Sequence, residues 1–179
     1  DTIIVGAPGN EPAGSQTGAV YFFTRTNGVW SFQDKEPNPR GDNGYFGNSV
    51  ALSGNTAVVG APYNLANQGY AYVYTFSGSW SYAATLTSNA AQGGATDYFG
   101  WDVAVDGETI AVANQGTDTA YVYTRPGSGW TSTVEDARVR VTGESLGAVA
   151  VSGSTVAALG SELHLFEEPG TGWSGTRSP

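Results

Sequence analysis

"FGNSVALSGNTAVVGAP", residues 46–62, decides the fold. Between its Phe-Gly and its Gly-Ala-Pro stand two short apolar runs, "SVALS" (49–53) and "TAVVGA" (56–61), joined only by Gly54-Asn55. Two such runs on a two-residue glycine link read as a tight β-hairpin. The pattern returns along the chain. "TIIVGAP" (2–8), "TAVVGAP" (56–62), "TIAVANQ" (109–115) and "TVAALGS" (155–161) form one series. "YFGNSVALSGNT" (45–56), "YFGWDVAVDGET" (98–109) and "SLGAVAVSGST" (145–155) form a second. A third series ends on tryptophan each time: "AVYFFTRTNGVW" (19–30), "AYVYTFSGSW" (71–80), "AYVYTRPGSGW" (120–130) and "LHLFEEPGTGW" (163–173). Three series repeating in one order define a repeat protein.

Each unit reads as four strands. In the second unit these are "SVALS", "TAVVGA", the aromatic run "YAYVYTF" (70–76) and "WSYAATLT" (80–87), which starts at the tryptophan. Unit boundaries fall near 1–48, 49–101, 102–147 and 148–179, within a single domain. The third strand is apolar on both faces, with Tyr72 and Tyr74 on one side and Ala71 and Val73 on the other. A strand buried on both sides needs a sheet sandwiched between neighbours, and four-stranded units of about 50 residues favour a β-propeller. The expectation is an all-β fold, a β-propeller of four-stranded antiparallel blades. Either about four blades close on themselves, or the chain is an arc of a larger propeller; the second is favoured.

Composition agrees. Twenty-six glycines, ten tyrosines, five tryptophans and only 13% charged residues suit short strands on glycine turns. A net charge of −9 with seven scattered Lys and Arg excludes nucleic acid as an expected partner and disfavours an anionic membrane surface. No apolar run approaches the roughly 20 residues of a membrane span. Without cysteine there is no disulfide framework, thiol catalysis or thiolate metal site.

The stretch 46–62 resembles the FG-GAP repeat of integrin alpha subunits and of many secreted or surface proteins. Val-Gly-Ala-Pro recurs at 5–8 and Phe-Gly at 99–100, while Ala113-Asn114 and Leu146-Gly147 depart from the motif. The resemblance implies a propeller and an extracellular or cell-surface setting. In this family, calcium-binding repeats carry an aspartate-rich loop between the first two strands. Here that connection is Gly54-Asn55, Asp106-Gly107-Glu108 or Gly153-Ser154, too few carboxylates for the six to eight oxygen ligands of calcium. No cofactor is expected, and Asp97 and Asp102 read as turn-forming and solubilising residues.

Catalytic motifs do not hold. "GESLG" (143–147) matches a nucleophile elbow around Ser145, but an elbow needs a helix after it, and "AVAVSG" follows. The single histidine, His164, takes the repeat position of Tyr21, Tyr72 and Tyr121 and reads as packing. Asp34 with Glu36, and Glu135 with Asp136, read as solvated pairs.

Binding candidates lie in the irregular parts. Arg40-Gly41-Asp42 is the tripeptide that integrin-class receptors recognise on exposed turns, although the matching loop "AQGGATDYFG" (91–100) lacks it and a turn before Phe46-Gly47 accounts for it as well. Loops joining strands two and three, "GNEPAGSQTG" (9–18) and "YNLANQG" (63–69), are long in the first half of the chain, and recognition resides on variable loops. Trp30, Trp80, Trp130 and Trp173 are periodic and read as core. Tyr63, Tyr82 and Trp101 are not, and are the candidates for surface contact with a protein or glycan ligand. The reading adopted is a non-enzymatic extracellular recognition or adhesion module. The alternatives are a building block of a surface fibre or multi-subunit assembly, whose partners would be further chain or subunits completing the propeller, and part of a polysaccharide-active enzyme.

Overall fold

A computed structural model describes residues 1–10, 16–88 and 97–179. Its described residues form sixteen strands in four separate sheets. The first sheet is β1 (Thr2–Ala7), β2 (Ala19–Thr26) and β3 (Val29–Pro37). In the second, β4 (Ser49–Ser53), β5 (Thr56–Ala61), β6 (Tyr70–Phe76) and β7 (Trp80–Thr87) follow one another as an antiparallel meander. The third holds β8 (Phe99–Asp106), β9 (Thr109–Asn114) and β10 (Thr119–Thr124), and the two-residue β11 (Thr133–Val134) precedes its β12 (Ala137–Arg140). The fourth is β13 (Ala148–Ser152), β14 (Thr155–Leu159) and β15 (Leu163–Glu167), and β16 (Gly175–Arg177) comes last. The strands of the second unit fall where the sequence places them.

Strand four is less regular than expected. After buried Trp130 the chain does not enter a strand of its own sheet. It crosses to the outer edge of the preceding one, where β11 pairs parallel with β7, and only then adds β12 beside β10. Past Trp173 the same crossing occurs, and β16 pairs parallel with β12 of the third sheet. Proline and glycine in "RPGSGW" and "EEPGTGW" stop the immediate hairpin that "SGSW" allows before β7.

The sheets stack face to face in chain order, with a core at each of the three junctions. Within one sheet the two faces serve different neighbours. Ala57, Val59, Tyr72 and Tyr74 pack back against the first sheet, while Val58, Val73, Ala84 and Leu86 pack forward against the third. Trp80 reaches back to stack on Phe22, with ring centroids 4.4 Å apart and planes 12° from parallel. Trp130 and Trp173 enter the next two junctions in the same way.

Trp30 departs from the expected core role, being 41% exposed where Trp80 is 3%. The cause is position: among the described residues no sheet packs on the backward face of the first sheet, and Ile3 and Val5 on that face are exposed too. At the other end Leu163 and Leu165 of β15 are 62% and 63% exposed, so this third strand is not buried on both faces.

What fixes the spacing of the stack is a backbone contact. Phe46 is buried and meets Tyr72 edge-on at 5.5 Å, as Phe99 meets Tyr121 at 5.4 Å. The glycine after each phenylalanine then lies on the Gly-Ala of the preceding unit. A Cβ on Gly6 would stand 2.0 Å from the Gly47 carbonyl oxygen, and one on Gly60 would stand 2.0 Å from that of Gly100. At the last junction Ala113 takes the place of Gly60, and the corner residue Gly147 keeps its distance, with Leu146 buried in the phenylalanine slot. The drift in sequence is thus a matched loosening.

Strand one carries the polar fastenings. Ser49 Oγ donates to Gly100 O at 3.1 Å, and the matching Asp102 accepts from Val149 N–H at 2.8 Å. One turn on, Ser53 Oγ accepts from Gly107 N–H at 3.1 Å and Asp106 from Gly153 N–H at 2.8 Å. Asp102 is therefore half-buried and tied to the next sheet, not a solubilising residue; burial holds its carboxyl above the usual range, against the two backbone N–H bonds that lower it.

Gly60→Ala is expected to lower the unfolding free energy by about 3 kcal/mol, since its methyl has nowhere to go. Gly127→Ala, in open space, should stay within about 0.5 kcal/mol, and urea denaturation of both measures the contrast.

Candidate functional site

The fourth strands give the site its origin. Glu36 on β3, Leu86 on β7 and Val139 on β12 stand at one repeat position, opposite Val20, Ala71 and Ala120 respectively. Leu86 and Val139 are fully buried and seal the junctions ahead of them. Glu36 does not seal its junction. A cleft of about 510 Å³ opens there instead, walled by Glu36, Pro37, Pro39, Arg40, Thr85 and four tyrosines, Tyr70, Tyr72, Tyr74 and Tyr82. Its size is that of small-ligand sites.

The tyrosines are a connected cluster. Tyr82 touches Tyr72 and Tyr74 with centroids 6.5 and 6.2 Å away, and Tyr70 lies 6.1 Å from Tyr72. Their hydroxyls differ in state. Tyr82 shares a 2.8 Å hydrogen bond with Thr85, and Tyr72 donates to Asn64 Oδ1 at 3.2 Å. At the next junction Tyr123, the counterpart of Tyr74, donates to Thr87 O at 2.8 Å. The Tyr74 hydroxyl is buried and has no hydrogen-bond partner among the described residues. Burial first, and neighbouring charge after it, pushes the Tyr72 and Tyr74 hydroxyls well above the usual tyrosine range, so both stay protonated. Arg40 lies over the Tyr70 ring, 5.0 Å from its centroid, within cation–π range.

Four of the six sequence candidates line this cleft or a neighbouring hollow. Arg40 and Tyr82 line the cleft. Asp42, Tyr63 and Tyr45 line a second hollow of about 430 Å³. Tyr63 sits 4.7 Å from Tyr45 and 5.4 Å from Tyr98, and Tyr98 contacts Trp101 at 6.4 Å, so Tyr63 and Trp101 belong to one aromatic row. Tyr45 and Tyr98 each precede a Phe-Gly and hold a left-handed backbone, with φ of 53° and 52°.

The Arg-Gly-Asp tripeptide is engaged within the protein. Asn38 Nδ2 donates to Asp42 O at 3.0 Å and to its carboxylate at 3.3 Å, while Arg40 N–H donates back to Asn38 Oδ1 at 3.0 Å. The Asp42 carboxylate also accepts from the Asn64 side chain and from Leu65 N–H at 3.3 Å. It thereby caps the single turn Asn64–Asn67, whose Leu65, Ala66 and Asn67 have positive φ. The relay Asp42–Asn64–Tyr72 links that loop to the floor of the cleft. Gly41 gives the turn its positive φ of 68° and lines neither hollow. Of the two long loops singled out, residues 11–15 of the first lie outside the described residues, as do 91–96 of "AQGGATDYFG".

Ser145 donates to Gln115 O at 2.7 Å, and strand β13, not a helix, follows it. His164 is half-buried and bonds Glu144 at 3.3 Å. Among the described residues no group of three or more His, Asp or Glu side chains gathers as a metal site. Asp136 accepts from Thr124 N–H at 2.6 Å, and Glu135 pairs with Arg138.

Glu36 was legible only by lining up the fourth strands, where one carboxylate stands in an apolar column. Burial, and secondarily Asp34, raises its carboxyl pKa. The folded chain therefore holds this proton more tightly than the unfolded chain, and its contribution to stability falls as pH rises from the ordinary glutamate pKa through the raised one. Glu36→Leu, which installs the residue of the next sheet, is expected to raise the urea midpoint at neutral pH and to flatten the stability profile above the ordinary glutamate pKa.

Comparison with known proteins follows the same lines. The FG-GAP repeat family matches residues 40–74 and 80–128. No curated protein matches the chain in sequence. Among solved structures, a candidate 6-phosphogluconolactonase from Bacteroides uniformis superposes with a TM-score of 0.65 at 17% identity, covering 94% of this chain and 50% of that one. Another from Bacteroides fragilis gives 0.63 at 15%, covering 94% and 48%. Hsv2 from Kluyvelomyces marxianus gives 0.58 at 15%, covering 88% and 46%. The chain spans about half the length of these structures, and identity this low speaks for the fold alone. Phe-Gly corners on Gly-Ala strands and the matches at 40–74 and 80–128 mark that part of the chain as FG-GAP repeat, within a stack of sheets similar to a β-propeller fold.

Proposed function

We propose that this chain is a non-catalytic recognition module, working outside the cell, that binds a glycan in the tyrosine cleft. The observation that carries the reading is the Tyr74 hydroxyl, buried and unpartnered where its counterpart Tyr123 is satisfied, at the base of an open cleft. A buried polar group without a partner costs about 1–3 kcal/mol, which a ligand hydroxyl would recover. Half-exposed Tyr82 offers a ring face on which the C–H side of a sugar can stack, and Glu36 and Arg40 add an acceptor and a donor at the walls. An extended ring with several hydroxyls matches this mixture better than an apolar ligand does.

Two further observations support a binding role without turnover. The Ser145 hydroxyl and His164 have separate partners, Gln115 O and Glu144, so this serine is not paired with this histidine. Asp42 spends its carboxylate on Asn64 and Leu65, which argues against the adhesion-receptor reading of Arg40-Gly41-Asp42. The extracellular setting rests on the company that FG-GAP repeats keep in integrin alpha subunits and secreted proteins.

A glycan array followed by calorimetry with the best oligosaccharide tests the proposal. Tyr82→Ala should weaken binding at least tenfold and Tyr74→Phe about fivefold, the worth of one hydrogen bond, with circular dichroism unchanged. Retention of full affinity by Tyr82→Ala, or capture of proteins but no glycan, would overturn the cleft as a sugar site. Release of shortened oligosaccharide on prolonged incubation would overturn the non-catalytic part.

A further inference from the structure

The stack leaves apolar side chains exposed on both of its end faces. The backward face of the first sheet carries Ile3, Val5 and Trp30, all exposed. Their counterparts at the internal junctions, Ala57, Val59 and Trp80, are buried against the preceding sheet. The forward face of the fourth sheet carries Leu159, Leu163 and Leu165, also exposed. Leu165, opposite Ala157, stands at the repeat position of Phe22, opposite Ile4, which is the residue Trp80 stacks on. Trp30 is thus a tryptophan lacking its cushion, and Leu165 is a cushion lacking its tryptophan.

We propose that a second copy of this chain covers these faces, head to tail, with Trp30 of each copy seated on Leu165 of the other. The internal junctions show what a sheet of this repeat accepts as a neighbour, namely another sheet of the same repeat. Solved structures of this fold contain about twice the chain, since this one covers 50%, 48% and 46% of them. Two copies supply that amount. A head-to-tail contact closes into a ring when its rotation completes a turn and otherwise runs on into a filament. With two copies each end face meets its complement and none is left over. Exposed apolar faces and open strand edges are aggregation hazards that closure removes.

Light scattering behind size exclusion, with sedimentation equilibrium, tests this on the 179-residue chain. The expected mass is twice 18.5 kDa at micromolar concentration. Trp30→Asp and Leu165→Asp each alter an exposed side chain, so folding should survive, and each variant alone should weaken dimerisation at least 100-fold. The decisive arm is the mixture. Trp30→Asp keeps an intact tail and Leu165→Asp an intact head, so together they should form a heterodimer through one restored junction. A wild-type monomer at all concentrations would overturn the proposal and assign the faces to another occupant, such as further repeats on the same chain. So would an open polymer, a dimer indifferent to both substitutions, or a mixture that stays monomeric.

Discussion

Everything in this molecule depends on two backbones touching. Where Gly47 lies on Gly6 and Gly100 on Gly60, the sheets come closer than any side chain would allow. That approach sets the depth of the junction into which Phe46, Phe99 and the tryptophans fit. Glycine costs conformational entropy in a strand, and here the cost is offset by the aromatic burial that close approach permits. The motif is therefore a spacing device first. Its loosening at the last junction, where Ala113 and Leu146 appear together, shows that the spacing and the filler change as a pair.

The repeat itself was legible because each of its parts has a local physical cause. Two-residue turns, alternation and a tryptophan at fixed offset are written within one unit, so β4 to β7 were readable to the residue. The crossings at β11 and β16 were not, because they depend on the edge of a neighbouring sheet and no local pattern encodes that. Trp30 was misjudged for the same reason. Its sequence position is that of a core residue, and only the arrangement of sheets shows that nothing stands behind it.

The candidate site was half legible. Arg40 and Tyr82 were singled out for irregularity and do meet in one cleft, yet the residue that opens it, Glu36, was set aside as half of a solvated pair. A charge looks solvated when read against its sequence neighbours and half-buried when read against its column of repeats, beside Leu86 and Val139. Asp42 teaches the converse. A tripeptide that resembles a signal is occupied in capping the turn at Asn64–Asn67, and its arginine covers the Tyr70 ring. The fastenings of strand one were missed altogether, although serine or aspartate at 49, 102, 53 and 106 was a periodic signal that hydrophobic patterning ignores.

The strand β16 gives the chain an unusual path for force. Because Gly175–Arg177 lies in the third sheet, tension applied at the C-terminus enters through β12 and reaches the third sheet directly. The fourth sheet, although it precedes that strand in sequence, is bypassed by that path and stays held by its core against the third sheet. A pull on the end of this chain would load its second-to-last sheet first, and the last would be released only after β16 had torn away.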